Sequence, residues 1–296
     1  MQNQLIAYIE LFRPKQWTKN LLVFAALLFV GGFNDSNAVL LTIRAFFAMC
    51  LLSSATYVFN DLRDRDRDRL HPRKKHRPIA SGKVAPTSAL VVALVCLVGG
   101  LLLAMINTTC IVIVGCYLVL QALYNLFLKQ VPVADVFCIA IGFVLRAVLG
   151  AAAITVTISG WLLFCTGALA LLLGFSKRRN EFLTVEEFHT TRASLAHYTK
   201  TSLDFLVAIF ACGAAMCYGI YSIESDTAQK HPGLILTSVF VFYGIARYVL
   251  IVFSQDEGGE PENIFFKDKH ILMSVVLFIA TAILAMSGFD IPLIAG

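Results

Sequence analysis

Nine apolar runs, each about as long as one crossing of a lipid bilayer, follow one another from end to end of this chain. A helix needs about 20 mostly apolar residues to span the hydrocarbon core. The runs lie near Trp17–Gly32, Val39–Phe59, Pro86–Met105, Thr109–Phe127, Val133–Ala153, Gly160–Phe175, Leu203–Ser222, Gly233–Phe253 and Ile271–Gly288. In lipid each backbone amide must be satisfied within its own segment, so such runs dictate helices. The spacing therefore predicts an all-α integral membrane protein. Composition agrees, because 58% of the residues are hydrophobic and 15% charged, against roughly 45–50% and about 25% in soluble domains. No shift in character marks a boundary, which predicts one polytopic domain over residues 1–296.

The first run is the weakest, with Lys19 in its opening turn. Leu21–Gly32 has a signal-peptide look, but no small-residue cleavage site follows it, so a retained helix is expected. Residues 1–16 hold apolar side chains at loosely helical spacing within Leu5–Phe12, as an interfacial helix would.

Lys and Arg set the orientation. Arg13, Lys15 and Lys19 open run 1, and nine basic residues from Arg63 to Lys83 follow run 2. Lys129 follows run 4, Lys177 to Lys200 follow run 6, and Lys267 and Lys269 follow run 8. Among Lys and Arg, only Lys230 lies in an opposite loop. The N-terminus and the even-numbered loops are thus expected in the cytoplasm, with the protein in the inner (plasma) membrane. This bias accounts for most of the formal charge of +5 and gives no sign of nucleic-acid binding. The eight cysteines fall in or at the ends of runs, with no metal-ligand spacing, and read as small apolar residues.

Chemistry concentrates at residues 60–85. If helix 2 continues through Asn60-Asp61-Leu62-Arg63-Asp64-Arg65-Asp66-Arg67-Asp68, then Asn60, Asp61, Asp64 and Asp68 share one face and Asp66 does not. Three carboxylates on a stripe repel one another unless a cation sits among them. Hard oxygen donors of this kind suit Mg²⁺, which usually combines one or two carboxylates with a substrate's phosphates. The competing reading is a solvated helix end whose arginines pair with the acids. The basic loop that follows, His71 to Gly82 with two prolines, favours the metal, because a diphosphate needs cations on both sides. Lys74 and Arg77 are its candidate leaving-group stabilisers.

The Asn60 to Asp68 run has the N-D-x-x-D-x-x-x-D pattern of the UbiA-type prenyltransferase superfamily, and Arg77-Pro78-Ile79-Ala80-Ser81-Gly82 resembles the R-P-[IL]-x-[SA]-G that follows it there. The resemblance implies nine transmembrane helices around a cavity open to the cytoplasm and laterally to lipid. Most members prenylate an aromatic acceptor and carry a second motif, D-x-x-x-D, after span 6. Here that segment, the start of residues 176–202, reads Ser176-Lys177-Arg178-Arg179-Asn180-Glu181, with no aspartate before Asp204.

Other motifs resemble one branch, the decaprenyl-phosphate phosphoribosyltransferases. They are Arg13-Pro14-Lys15-Gln16-Trp17-Thr18-Lys19-Asn20, Tyr124…Leu128-Lys129 with Asp135, Leu145-Arg146-Ala147, Lys177-Arg178-Arg179-Asn180-Glu181 and Arg192…Tyr198-Thr199. The reaction implied moves 5-phosphoribose from phosphoribosyl diphosphate (PRPP) to a polyprenyl phosphate, for arabinose-containing envelope glycans. Mg²⁺ on Asp61, Asp64 and Asp68 would hold the diphosphate, with Asn60 beside them. Lys19, Lys129, Arg146 and Lys177 are candidates for the other phosphates, and Tyr124, Asp135, Arg178, Glu181 and Tyr198 are further expected substrate contacts. Arg146 stands out because a charge within a span is costly and is usually functional, the rival role being a structural pairing. Arg44 and Arg247 leave the two roles evenly balanced. The acids of Ser254–His270 are broken up by glycine and proline and read as a solvated cap. A transporter would often show two related halves, which the sequence lacks. An aromatic prenyltransferase is the enzymatic alternative, and self-association stays open.

Overall fold

The computed structural model describes residues 2–70, 74–184, 193–254, 264 and 267–287. Among them there are only helices and connections. Eight helices are long and apolar enough to cross a membrane. They are α3 (Ser36–Arg63), α5 (Pro86–Ala104), α6 (Thr108–Leu126), α7 (Ala134–Ala153), α8 (Gly160–Thr184), α9 (Lys200–Glu224), α11 (Thr237–Ser254) with the 3₁₀ turn Pro232–Leu236 before it, and α12 (Lys269–Met286). Shorter helices are α1 (Gln2–Phe12), α2 (Ala25–Val30), α4 (Arg65–Leu70) and α10 (Asp226–Lys230).

These eight correspond to the second to ninth expected spans. The first is not one α-helix. Pro14–Phe24 winds as a 3₁₀ helix and only Ala25–Val30 is α-helical. Eleven residues is long for a 3₁₀ helix, and side chains three apart eclipse one another in it. That geometry stacks Trp17, Asn20 and Val23 on one stripe. Trp17 Nε1 donates to Ser54 Oγ at 3.1 Å, and Asn20 Nδ2 donates to Ser53 Oγ at 3.4 Å, both on α3. An α-helix would rotate this stripe away from α3.

The described residues form two compact units. The first takes residues 1–25, 35–125 and 145–156. Its centre is α3, which buries Ala45, Ala48, Met49, Leu52 and Ala55. Small residues let membrane helices approach closely. A Cβ on Gly100 of α5 would lie 2.7 Å from Leu52 Cγ, and one on Gly150 of α7 would collide with the carbonyl of Val23. Arg44 donates to the carbonyls of Leu102 and Leu103 in the last turn of α5 and of its C-cap Met105. Its role is thereby structural.

The second unit takes residues 26–34, 126–144 and 157–296. Its core joins Val136 and Ala140 of α7 to Leu172 and Phe175 of α8, Leu203 and Val207 of α9 and Ile251 of α11. Polar pairs fix the register of α9 against the segment after it, with Tyr218 to Thr237 at 2.6 Å and Ser222 to Ser238 at 2.8 Å. Arg247 pairs with Asp268, the N-cap of α12, at 2.8 Å, so its role is structural as well.

Candidate active site

The sequence expectation that helix 2 runs unbroken to Asp68 needs one change. α3 ends at Arg63, Asp64 caps it with φ −89° and ψ 7°, and α4 resumes at Arg65. The i→i−4 bonds bridge the break, from Asp64 N to Asn60 O at 2.9 Å and from Asp68 N to Asp64 O at 2.8 Å. The face therefore survives. Asp61 and Asp68 are 5% and 3% exposed. Asp66 points outward, with its side chain 80% exposed, and pairs with Arg65 and Arg69.

Two arginines meet the buried acids. Arg77 Nη1 donates to Asp61 Oδ1 at 2.9 Å and to Asp68 Oδ2 at 2.7 Å. Arg13 Nη2 donates to both oxygens of Asp61 at 2.5 Å. Arg77 is held in place by the turn that follows it. Ser81 N bonds Arg77 O, Val84 N bonds Pro78 O, and Gly82 turns the chain at φ +77°, a conformation glycine adopts without strain. Ile79 and Val84 anchor the turn in the core, and Arg69 Nε ties α4 to Ala80 O. Lys74 lies on the short 3₁₀ turn just before it, half-buried.

Among the described residues no three His, Cys, Asp or Glu side chains are already arranged around a metal position. The place between Asp61 and Asp68 holds a guanidinium nitrogen. A positive donor within hydrogen-bonding distance of two buried carboxylates marks the electrostatic position of a cation, and the donor set is all oxygen. Two carboxylates suffice for Mg²⁺ when phosphates complete its shell. The residues fit that ion once Arg77 gives way.

Also in the first unit, Arg146 is 5% exposed. Its Nε donates to Asn20 Oδ1 at 2.7 Å and its Nη2 to Tyr117 OH at 3.2 Å, and its guanidinium lies 5.1 Å from the Tyr117 ring centre. Asn20, itself fully buried, is the link between the 3₁₀ helix and this cation. Lys19, Asn60 and Tyr124 are half-buried residues of the same unit.

The second unit gathers a different set. α8 extends well beyond the expected span, so Lys177–Glu181 lies on a helix and not in a loop. The physical reason is charge neutralisation across helices. Arg178 Nε donates to Asp135 Oδ2 at 2.7 Å and Arg178 Nη1 to Glu181 Oε2 at 2.6 Å. Arg179 pairs with Asp204 at 2.6 Å and lies over the Phe253 ring. Tyr198 OH accepts from the Val133 amide, two residues before Asp135. Burial raises the Tyr198 phenol above its usual range. Asp135, Arg178, Glu181 and Tyr198 thus form one cluster, while Lys129 and Lys177 are half-buried members of the same unit. Arg192 and the acids at 256, 257, 260 and 262 lie outside the described residues.

Sequence reasoning missed Arg13 and Asn20 as site residues. Their signal was present in the Arg13-to-Asn20 motif, but hydropathy assigned that stretch to an ordinary span start.

The UbiA prenyltransferase family model matches residues 21–266. The chain belongs to the UbiA prenyltransferase family. Decaprenyl-phosphate phosphoribosyltransferase of Corynebacterium glutamicum is 33% identical over 94% of this chain and 86% of that one. The protein of the same name from Mycobacterium tuberculosis is 32% identical over 94% of each chain. A UbiA homologue from Archaeoglobus fulgidus, solved bound to GPP and Mg²⁺, superposes with a TM-score of 0.75 over 95% of this chain and 99% of its own, at 18% identity. The eight apolar helices and the family make this an integral membrane transferase. The N-D-x-x-D-x-x-x-D face of this UbiA chain is the one held by Arg13 and Arg77.

Proposed function

We propose that this enzyme transfers 5-phosphoribose from PRPP to a polyprenyl phosphate such as decaprenyl phosphate and releases diphosphate. The observation that carries the reading is the build of Lys177–Glu181. Where aromatic prenyltransferases of the family have a second aspartate motif, this chain has the helix turn Lys177-Arg178-Arg179, in which Arg178 is tied to Asp135 and Glu181 and Arg179 to Asp204. A donor with a second phosphate needs cations there. The two relatives above carry the same activity in their names.

The acceptor phosphate oxygen attacks C1 of the ribose, the C1–O bond to diphosphate breaks, and the electron pair leaves with diphosphate. No general base is required, since the acceptor is already ionised at neutral pH. Charge builds up on the leaving group, so stabilising it lowers the barrier. Asp61, Asp64 and Asp68, with Asn60 beside them, would hold Mg²⁺, which would supply part of that stabilisation. Arg77 and Lys74 supply the rest as charge-assisted donors. Lys19, Lys129, Arg146 and Lys177 are assigned to the remaining phosphates, with Tyr124 and Tyr198 as polar contacts. Arg178, buried between Asp135 and Glu181, positions that helix turn. The reading places the N-terminus and the phosphate chemistry on the cytoplasmic side of the plasma membrane, with Pro14–Val30 as a ninth crossing.

The test is an assay of purified protein with labelled PRPP and polyprenyl phosphate, beside prenyl diphosphate and 4-hydroxybenzoate. Diphosphate release from PRPP that depends on the lipid phosphate is expected. Prenylation of the aromatic acid with no turnover of PRPP refutes the reading.

A further inference from the structure

Arg13 combines four features. Its backbone is left-handed, at φ 50° and ψ 59°. A side chain with a Cβ pays about 1–2 kcal/mol for that conformation, and the following Pro14 fixes the chain beyond it. The strain has a consequence, since it turns the side chain from the junction of α1 and the 3₁₀ helix onto Asp61. There a single nitrogen, Nη2, serves both carboxylate oxygens. The remaining nitrogens of the fork make no hydrogen bond among the described residues, and the side chain is 24% exposed. Finally, the guanidinium rests 5.0 Å from the ring centre of Tyr57, one helical turn before Asp61 on the same face of α3.

Asp61 needs a positive partner at all times, because an uncompensated buried carboxylate is expensive. Arg77 cannot provide this alone, since its Nη1 is shared with Asp68. A divalent cation and Arg13 compete for the same two oxygens. When the cation takes them, Arg13 keeps its seat on Tyr57 and has a full fork to offer. The fork matches a phosphate's oxygens.

We propose that Arg13 is an exchanging counter-cation, which neutralises Asp61 before the donor binds and transfers to the donor's diphosphate when the metal claims that carboxylate. This rests on the reading of Asp61, Asp64 and Asp68 as the metal–diphosphate face. It makes Arg13 a substrate-binding residue with opposite effects on two binding steps. Arg13 opposes loading of metal alone and favours loading of metal with diphosphate.

The experiment is calorimetric titration of the detergent-purified full chain, as wild type, Arg13→Gln and Arg13→Lys. Mg²⁺ is titrated alone, and inorganic diphosphate is titrated in saturating Mg²⁺. For Arg13→Gln, Mg²⁺ alone should bind roughly fivefold tighter, the scale of one partly exposed ion pair. Diphosphate should bind about tenfold weaker, the loss of a charge-assisted contact. Arg13→Lys keeps the charge without the fork, so its diphosphate affinity should fall between the two while its Mg²⁺ affinity stays near wild type. If Arg13 is only a structural tie, both affinities of Arg13→Gln weaken together or both stay unchanged, and the proposal is overturned. Tighter Mg²⁺ with unchanged diphosphate binding also overturns it, since no transfer then occurs. Should Arg13→Gln not fold, the Lys variant decides, and wild-type diphosphate affinity in it refutes the transfer. If wild type binds diphosphate equally well without Mg²⁺, the underlying reading of the acidic face fails, a result distinct from any same-sign change in the variants.

Discussion

Arg178→Met tests how the second cluster is held together. Arg178 and Asp135 have side chains 1% and 0% exposed and meet at 2.7 Å, whereas Glu181 is 29% exposed. Removing the guanidinium leaves Glu181 able to turn to water but leaves Asp135 a buried carboxylate. Breaking a buried pair in this way costs about 3–5 kcal/mol. For chains of this size a shift of about 2–4 °C per kcal/mol is typical, so the melting temperature in detergent should fall by roughly 6–20 °C. Asp135→Asn should cost less, because Arg178 retains Glu181. The informative variant is the double one. Asp135→Asn with Arg178→Met removes both charges, and it should recover most of the loss, as replaced buried pairs often do. Thermal unfolding of the four proteins, with turnover measured in parallel, gives the coupling between the two residues. A double variant as unstable as Arg178→Met alone, or a single loss below about 1 kcal/mol, would refute the account of this pair as the brace of α8.

On the acidic face, Asp61→Ala and Asp68→Ala should abolish Mg²⁺-dependent turnover, while the outward Asp66→Ala should leave it within about threefold, as surface substitutions usually do; equal losses in all three would favour a generic charged helix end. Arg146→Lys should fold normally and, if Arg146 grips a substrate phosphate as proposed, raise the Michaelis constant for one substrate, since it keeps the charge but not the fork that holds Asn20; normal affinity for both substrates with a large drop in melting temperature would make Arg146 structural. Gly150→Ala should lower both stability and turnover, because its methyl group must push the Val23 carbonyl and with it the 3₁₀ helix carrying Asn20; wild-type turnover would show that this approach does not set the Asn20–Arg146 contact. Hydrogen bonds from Arg247, aided by the first amides of α12, hold the Asp268 carboxyl below its ordinary value, so its stabilisation is complete above about pH 4 and is lost as the pH falls through the lowered value; the difference in melting temperature between wild type and Asp268→Asn should shrink below that pH.

The membrane character and eight of the crossings were legible in the sequence because hydropathy is a sum over local residues, and lipid leaves the backbone no option but helix. The acidic face was legible for a similar reason. Offsets of three and four residues place side chains on one side of a helix whatever surrounds it, so Asp61, Asp64 and Asp68 could be separated from Asp66 by counting. Partnership was not legible. Nothing local says that Arg13 reaches Asp61, forty-eight residues away, or that Arg178 finds Asp135 and so extends α8 through a basic stretch that reads as a loop. Nor does hydropathy distinguish a 3₁₀ helix from an α-helix, since both are apolar runs. Only packing against α3, with Gly150 admitting the Val23 carbonyl, selects the three-residue period that aligns Trp17, Asn20 and Val23. Composition and spacing determined which charges this protein has and on which faces they sit. The tertiary structure decided which of them neutralise one another, because that depends on distances between segments that only the folded chain brings together.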